Sequence, residues 1–105
     1  MIAAQFIFEP GEYDVEFHQL DDSIDNAARL IPGFVGTDRW VSEDGRVINA
    51  IYYFDDMAAL TKLGRFDDHR TAKSQVDRWY KAYRVIVTEV TATYGNMPHI
   101  AADDS

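Results

Sequence analysis

Two rhythms of apolar and polar positions run along the chain, and each change of rhythm marks an element. Residues 2–9, IAAQFIFE, are apolar at nearly every position, so the strand they predict has two apolar faces, Ile2/Ala4/Phe6/Phe8 and Ala3/Gln5/Ile7. Pro10-Gly11 ends it. From Asp14 to Ile31 the apolar residues recur at Phe17, Leu20, Ile24, Ala27/Ala28 and Ile31, a spacing of three and four that lays one stripe along a helix. Asp14 or Tyr13 stands near its start, where an Asp caps free N–H groups and meets the positive end of the helix dipole. Pro32-Gly33 stops it.

Phe34 to Val41 predicts a second strand, with Gly36 a bulge or a point of close backbone approach. Ser42-Glu43-Asp44-Gly45 predicts a turn, and Arg46 to Phe54 a third strand, again apolar or aromatic on both faces. Asp55-Asp56 can cap a short helix through about Leu63, closed by Gly64. A longer helix is expected from about Asp67 to Tyr83, with a stripe of Phe66, His69, Ala72/Lys73, Val76, Trp79/Tyr80 and Tyr83. Arg84 to Tyr94, rich in β-branched residues, predicts the last strand, and Gly95 ends it.

The order is βαββαβ, which predicts an α+β, ferredoxin-like domain over residues 2–95: a four-stranded antiparallel sheet with its helices on one face. Residues 96–105 are expected to form a flexible acidic tail, disordered or draped on a partner. A sheet half open to water should alternate apolar and polar residues. Strands one and three do not, so a second copy is expected to cover the far face and make a homodimer.

Composition narrows the function. A length of 105 residues allows one core, and a net charge of −8 argues against nucleic acid and against an anionic membrane surface. The apolar runs are too short to span a bilayer, and the first residues, MIAAQFIFEPGEYD, carry no basic segment of a signal peptide, so a cytoplasmic location is expected. Without cysteine there is no disulfide, thiolate metal site or cysteine nucleophile. Seven acids fall between Glu9 and Asp25 and seven of the ten basic residues between Lys62 and Arg84, which predicts helix faces of opposite sign. No phosphate-cradling loop, nucleophile elbow or metal-ligand spacing among His18, His69 and His99 is present, so neither metal nor cofactor is expected.

The order of elements, the PGFVG turn after the first helix, and the segment from FDDHRTAK to RWYKAYRVIV resemble the antibiotic-biosynthesis-monooxygenase-like family of the dimeric α/β-barrel superfamily. The resemblance spans about residues 2–95. It implies a homodimer with a pocket in each subunit between helices and sheet. Members include monooxygenases that oxidise polycyclic quinol-type compounds with oxygen and neither metal nor flavin, haem-degrading enzymes, and proteins of unknown role. The haem-degrading members carry a tryptophan in the short helical segment, where this chain has Leu60 and Leu63, which argues against that chemistry.

His69 is the candidate catalytic residue, as a base, a role the resemblance supports because similar members carry a histidine at the start of this helix. Its structural alternative is a hydrogen-bonded core or rim histidine, with Asp67 and Asp68 as nearby partners. Gln5 and Asn49 are lone amides in apolar strands, able to orient a substrate or to hydrogen-bond at an interface. Trp40, Tyr52, Tyr53, Trp79, Tyr80 and Tyr83 could line a site for a flat hydrophobic ligand, or fill core and interface. Tyr52 and Tyr53 must point to opposite faces, as must Arg39 and Trp40. The functions expected are a cofactor-independent monooxygenase acting on a small aromatic or polycyclic compound, or a non-catalytic dimer that binds a hydrophobic metabolite.

Overall fold

Strand β1 (Ile2–Pro10) leads into helix α1 (Val15–Leu30), and a computed structural model describes residues 1–100 of the chain. The carboxylate of Asp14 caps α1 by accepting from the Phe17 N–H at 2.8 Å, while the Tyr13 ring stacks on Phe17 with centroids 3.9 Å apart. At the other end the Ile31 N–H donates to the Ala28 carbonyl before Pro32. Gly33 follows with φ +101°, and a Cβ there would stand 3.1 Å from the Ala59 Cβ.

Strands β2 (Phe34–Val41) and β3 (Ile48–Phe54) form a hairpin closed at Gly45, φ +76°. The third strand begins two residues later than expected. Arg46 and Val47 are held in the turn instead, their N–H groups donating to the Asp44 carboxylate and the Ser42 hydroxyl. Helix α2 (Met57–Gly64) is capped by Asp56, which accepts from the Ala59 N–H at 2.9 Å.

The expected long helix is cut short. Helix α3 (Asp67–Ser74) stops at Gln75, whose φ and ψ of −112° and 12° are not helical, and one further turn, α4 (Val76–Trp79), precedes strand β4 (Tyr80–Glu89). Helical periodicity continued through Tyr83, but sheet pairing wins. Tyr80 sits opposite Pro10, and the Gly11 N–H donates to the Trp79 carbonyl at 2.7 Å. The strand ends at Glu89 rather than Tyr94 because its partner β1 runs out there, the Val90 N–H meeting the Met1 carbonyl.

The sheet order is β2-β3-β1-β4, antiparallel throughout, which is the ferredoxin-like arrangement with the helices on one face. Ala28, Phe54, Ala59 and Leu63 form the buried core between α1, α2 and β3, flanked by Ile24, Ile31, Phe34, Tyr52 and Leu60. The Phe54 ring is fully buried. Among the described residues no helix is long and apolar enough to cross a membrane.

Register divides the side chains between two faces. Phe6, Phe8, Ala50, Tyr52 and Arg39 share the helix side with Phe54. Gln5, Ile7, Asn49, Ile51, Tyr53, Asp38 and Trp40 share the outer side. The expected acidic tail lies partly in residues 101–105, outside those described. Residues 99 and 100 return to the outer side: the Ile100 N–H donates to Asp38 at 2.6 Å, and His99 packs on Tyr53 with ring centroids 4.6 Å apart. Gly36 admits that approach at a break in the β2–β3 register, since a Cβ there would lie 2.7 Å from the His99 ring.

Candidate active site between helices and sheet

Aromatic rings crowd the helix side of β1 and the start of β4. Phe6 and Phe8 stack at 4.9 Å, and Tyr80 meets both edge-on at 5.0 and 5.1 Å. Phe17 packs edge-on against the buried Trp79 at 5.3 Å, and Tyr83 leans on Phe6 from the exposed edge strand. These contacts follow from sequence spacing: alternate residues of β1 point one way, and positions 17, 20, 21 and 24 share one face of α1. Arg78 anchors the assembly by bridging to Asp14 at 2.7 Å and Glu16 at 3.0 Å, which ties the turn of α4 to the start of α1.

Between α1, α3, α4 and β4 remains a cavity of about 50 Å³, lined by Phe17, Leu20, Asp21, Ile24, Ala72, Trp79 and Tyr80. Its wall is apolar except for the Asp21 carboxyl, the Tyr80 phenol and the Trp79 indole. Asp21 stands at the rim, open to solvent on one side. Partial burial, with the carboxylates of Asp22 and Asp25 nearby, holds its carboxyl above the ordinary range, and Arg39 and His18 partly offset this. Burial likewise pushes the Tyr80 phenol well up, and that of Tyr13 to about 12. The Trp79 indole N–H is a buried donor without a hydrogen-bond partner.

The structure separates the residues singled out from sequence. Trp79 lines the cavity, and Tyr52 faces the helices, where its hydroxyl donates to Asp25 at 2.6 Å. Tyr83 stands at the exposed margin of the aromatic group. Gln5, Trp40, Asn49 and Tyr53 lie on the outer face and do not converge with His69. There the Asn49 amide donates to Gln5 Oε1 at 3.1 Å, the Tyr53 hydroxyl donates to Asp38 at 2.8 Å, and Trp40 is half exposed.

His69 is half-buried on α3, one turn before the cavity-lining Ala72. Its Nδ1 is buried without a hydrogen-bond partner, and burial, with Lys73 nearby, pulls its pKa below the usual histidine value. The expected aspartate partners are engaged elsewhere: Asp68 accepts from the Ser23 hydroxyl at 2.5 Å, and Asp67 faces Arg70 at 4.0 Å. Asp21, Arg39 and Tyr13 were not among the sequence candidates. The signal was present in Asp21, a charge placed between Leu20 and Ile24 on the apolar stripe. Among the described residues no group of three or more His, Asp or Glu side chains is placed to hold a metal ion.

No family model matches the sequence, and no curated protein matches it. The fold, however, is shared with solved structures. Rv0793 from Mycobacterium tuberculosis superposes with a TM-score of 0.73 at 18% identity, covering 90% of this chain and 98% of that one. SnoaB from Streptomyces nogalater, a cofactor-independent oxygenase, gives 0.70 at 12% identity over 90% and 97% of the two chains. A Deinococcus radiodurans protein provisionally assigned as an antibiotic biosynthesis monooxygenase gives 0.69 at 12% identity over 93% and 100%. The resemblance drawn from sequence therefore holds for the fold, which is that of the antibiotic-biosynthesis-monooxygenase-like proteins.

Proposed function

We propose that the helix-side space is the active site of a cofactor-independent monooxygenase acting on a small aromatic compound. One observation carries this reading: an ionisable carboxyl, Asp21, and a phenol, Tyr80, interrupt the wall of an otherwise apolar, aromatic cavity. Oxygen insertion of this type asks the protein for little besides proton transfer and charge stabilisation. Asp21 takes a proton from an activated CH₂ carbon of the bound ring system. The resulting carbanion supplies electrons to dioxygen, a C–O bond forms, and the peroxide anion recovers the proton from Asp21. Loss of water from the hydroperoxide leaves a carbonyl, so one oxygen atom enters the product and the other leaves as water. A raised pKa makes the ionised Asp21 a stronger base than an ordinary aspartate. His69 is the second candidate base, since its ring favours the neutral form and its Nδ1 is free.

The cavity volume limits the substrate. About 50 Å³ is far below the roughly 300–1,000 Å³ of ordinary ligand sites. A single ring enters only if α1 and the α3–α4 segment part, and a polycycle requires more. That same observation favours a second reading, a protein that binds a small hydrophobic metabolite without turnover. In either case a second copy of the chain is proposed to cover the outer face, where Ile7, Ile51 and Trp40 sit beside the amide pair.

Oxygen uptake with hydroquinones, naphthols and anthrones separates the two readings. The enzyme reading expects uptake by the wild type, its loss in Asp21→Asn, and its retention in His69→Ala. Loss in His69→Ala alone would transfer the role of base to His69. Saturable ring binding with no uptake across the panel would leave the binding reading. A Soret band on haem titration is not expected.

A further inference from the structure

We propose that Arg39 makes the helix-side space a receptor for aromatic compounds that carry an ionised oxygen, a phenolate or a carboxylate. The residue lies opposite Ala50 in β3, which in turn lies opposite Phe6 in β1. All three side chains are on the helix side. Its positive charge is felt at Asp21, Tyr13 and Tyr80, in each case favouring the ionised form. These groups belong to α1, to the loop before it and to β4, and two of them, Asp21 and Tyr80, line the cavity.

Arg39 is half-buried, yet among the described residues it makes neither a hydrogen bond nor an ion pair. Arg29 and Arg78, by contrast, are matched with carboxylates at 2.9 Å and 2.7 Å. Withdrawing a guanidinium from water without a counter-charge is unfavourable, and its planar donor fork suits carboxylate and other oxyanions. Asp21 is the carboxylate on which its charge acts, but the two do not come within ion-pair distance. A ring resting on Phe6 and Tyr80 with its oxyanion against Arg39 would satisfy the aromatic surface and the unmatched cation together.

This inference rests on the helix-side space being the ligand site, but not on turnover. It is tested by calorimetric or NMR titration of the intact chain with benzoate, para-nitrophenolate and the neutral isostere benzamide. A charge-assisted contact predicts that at least one anion binds roughly ten- to hundredfold more tightly than benzamide. Arg39→Met should bring the anions to the affinity of benzamide, and Arg39→Lys should keep part of the preference. The relative affinities of benzoate and para-nitrophenolate show which oxyanion the site accepts. Equal binding of benzamide and both anions to the wild type would overturn the proposal, as would an anion preference that survives Arg39→Met. If Arg39→Met does not fold, loss of the preference in Arg39→Gln serves the same purpose. Ring binding without anion preference would sink this inference and leave the enzyme reading intact; anion binding without oxygen uptake would do the reverse.

Discussion

Replacing Tyr52 by Phe removes one hydroxyl and nothing else, and the structure specifies what that hydroxyl does. It donates to Asp25 Oδ1 at 2.6 Å, while the other carboxylate oxygen accepts from Arg29 Nε at 2.9 Å. A hydrogen bond to a charged group contributes roughly 1.5–3 kcal/mol. The Asp25 side chain is 16% exposed and keeps Arg29, so the lower part of that range applies, about 1.5–2 kcal/mol. At about 2.1 cal/mol/K per residue, 105 residues give an unfolding entropy of roughly 0.22 kcal/mol/K, and the melting temperature should fall by about 7–9 °C. The loss should depend on pH. Burial first, and then the Asp25 hydrogen bond and charge, push the Tyr52 phenol well above its ordinary value of 10.0. Its contribution is therefore complete below pH 10 and is lost as the unfolded chain's tyrosine ionises above it. Urea unfolding of wild type and Tyr52→Phe near neutral pH and again above pH 10 should show the deficit narrowing at the higher pH. A deficit below about 0.5 kcal/mol at neutral pH, or one that does not change with pH, would refute the reasoning.

Asp21→Asn removes a charge that neighbours Asp25 at the i,i+4 spacing, so it should leave stability unchanged or raise it by about 0.2–0.5 kcal/mol; a marked loss in thermal unfolding would show that the carboxylate has a structural partner. Gly33→Ala should cost roughly 1–3 kcal/mol, because a side chain at φ +101° is strained and its Cβ would crowd Ala59; denaturant midpoints that coincide with wild type would contradict the exit geometry of α1. Trp40→Glu on the outer face should shift sedimentation toward the monomer while leaving the far-UV spectrum unchanged, and an unaltered dimer would mean that the second copy docks elsewhere.

Much of this fold is readable in the sequence because its determinants are local. Asp14, Asp56 and Gly45 act within a few residues, and each occupies the expected position. The two-faced apolar strands were also legible, since pairing preserves a period of two. The end of the long helix was not. Tyr80 fits the helical stripe, and only pairing with Pro10 and packing on Phe6 and Phe8, seventy or more residues away, draws it into a strand. The candidate site shows the same division. Aromatic residues advertise themselves by type, but which of Gln5, Asn49, Tyr52 and Tyr53 share a face with Trp79 depends on strand register across the sheet. Asp21 and Arg39 read as ordinary surface charges until α1 sets the first on the cavity wall and the β2 register turns the second to the helix side.

The chain's two tryptophans provide the most direct test, because they lie on opposite faces of the sheet. Trp79 is buried in the cavity wall, and Trp40 is half exposed on the outer face. In Trp40→Phe, whose emission comes from Trp79 alone, a bound aromatic ligand should quench or shift the fluorescence saturably. In Trp79→Phe, the emission of Trp40 should not respond. A saturable response from Trp40, with none from Trp79, would place the ligand on the outer face and contradict the helix-side site.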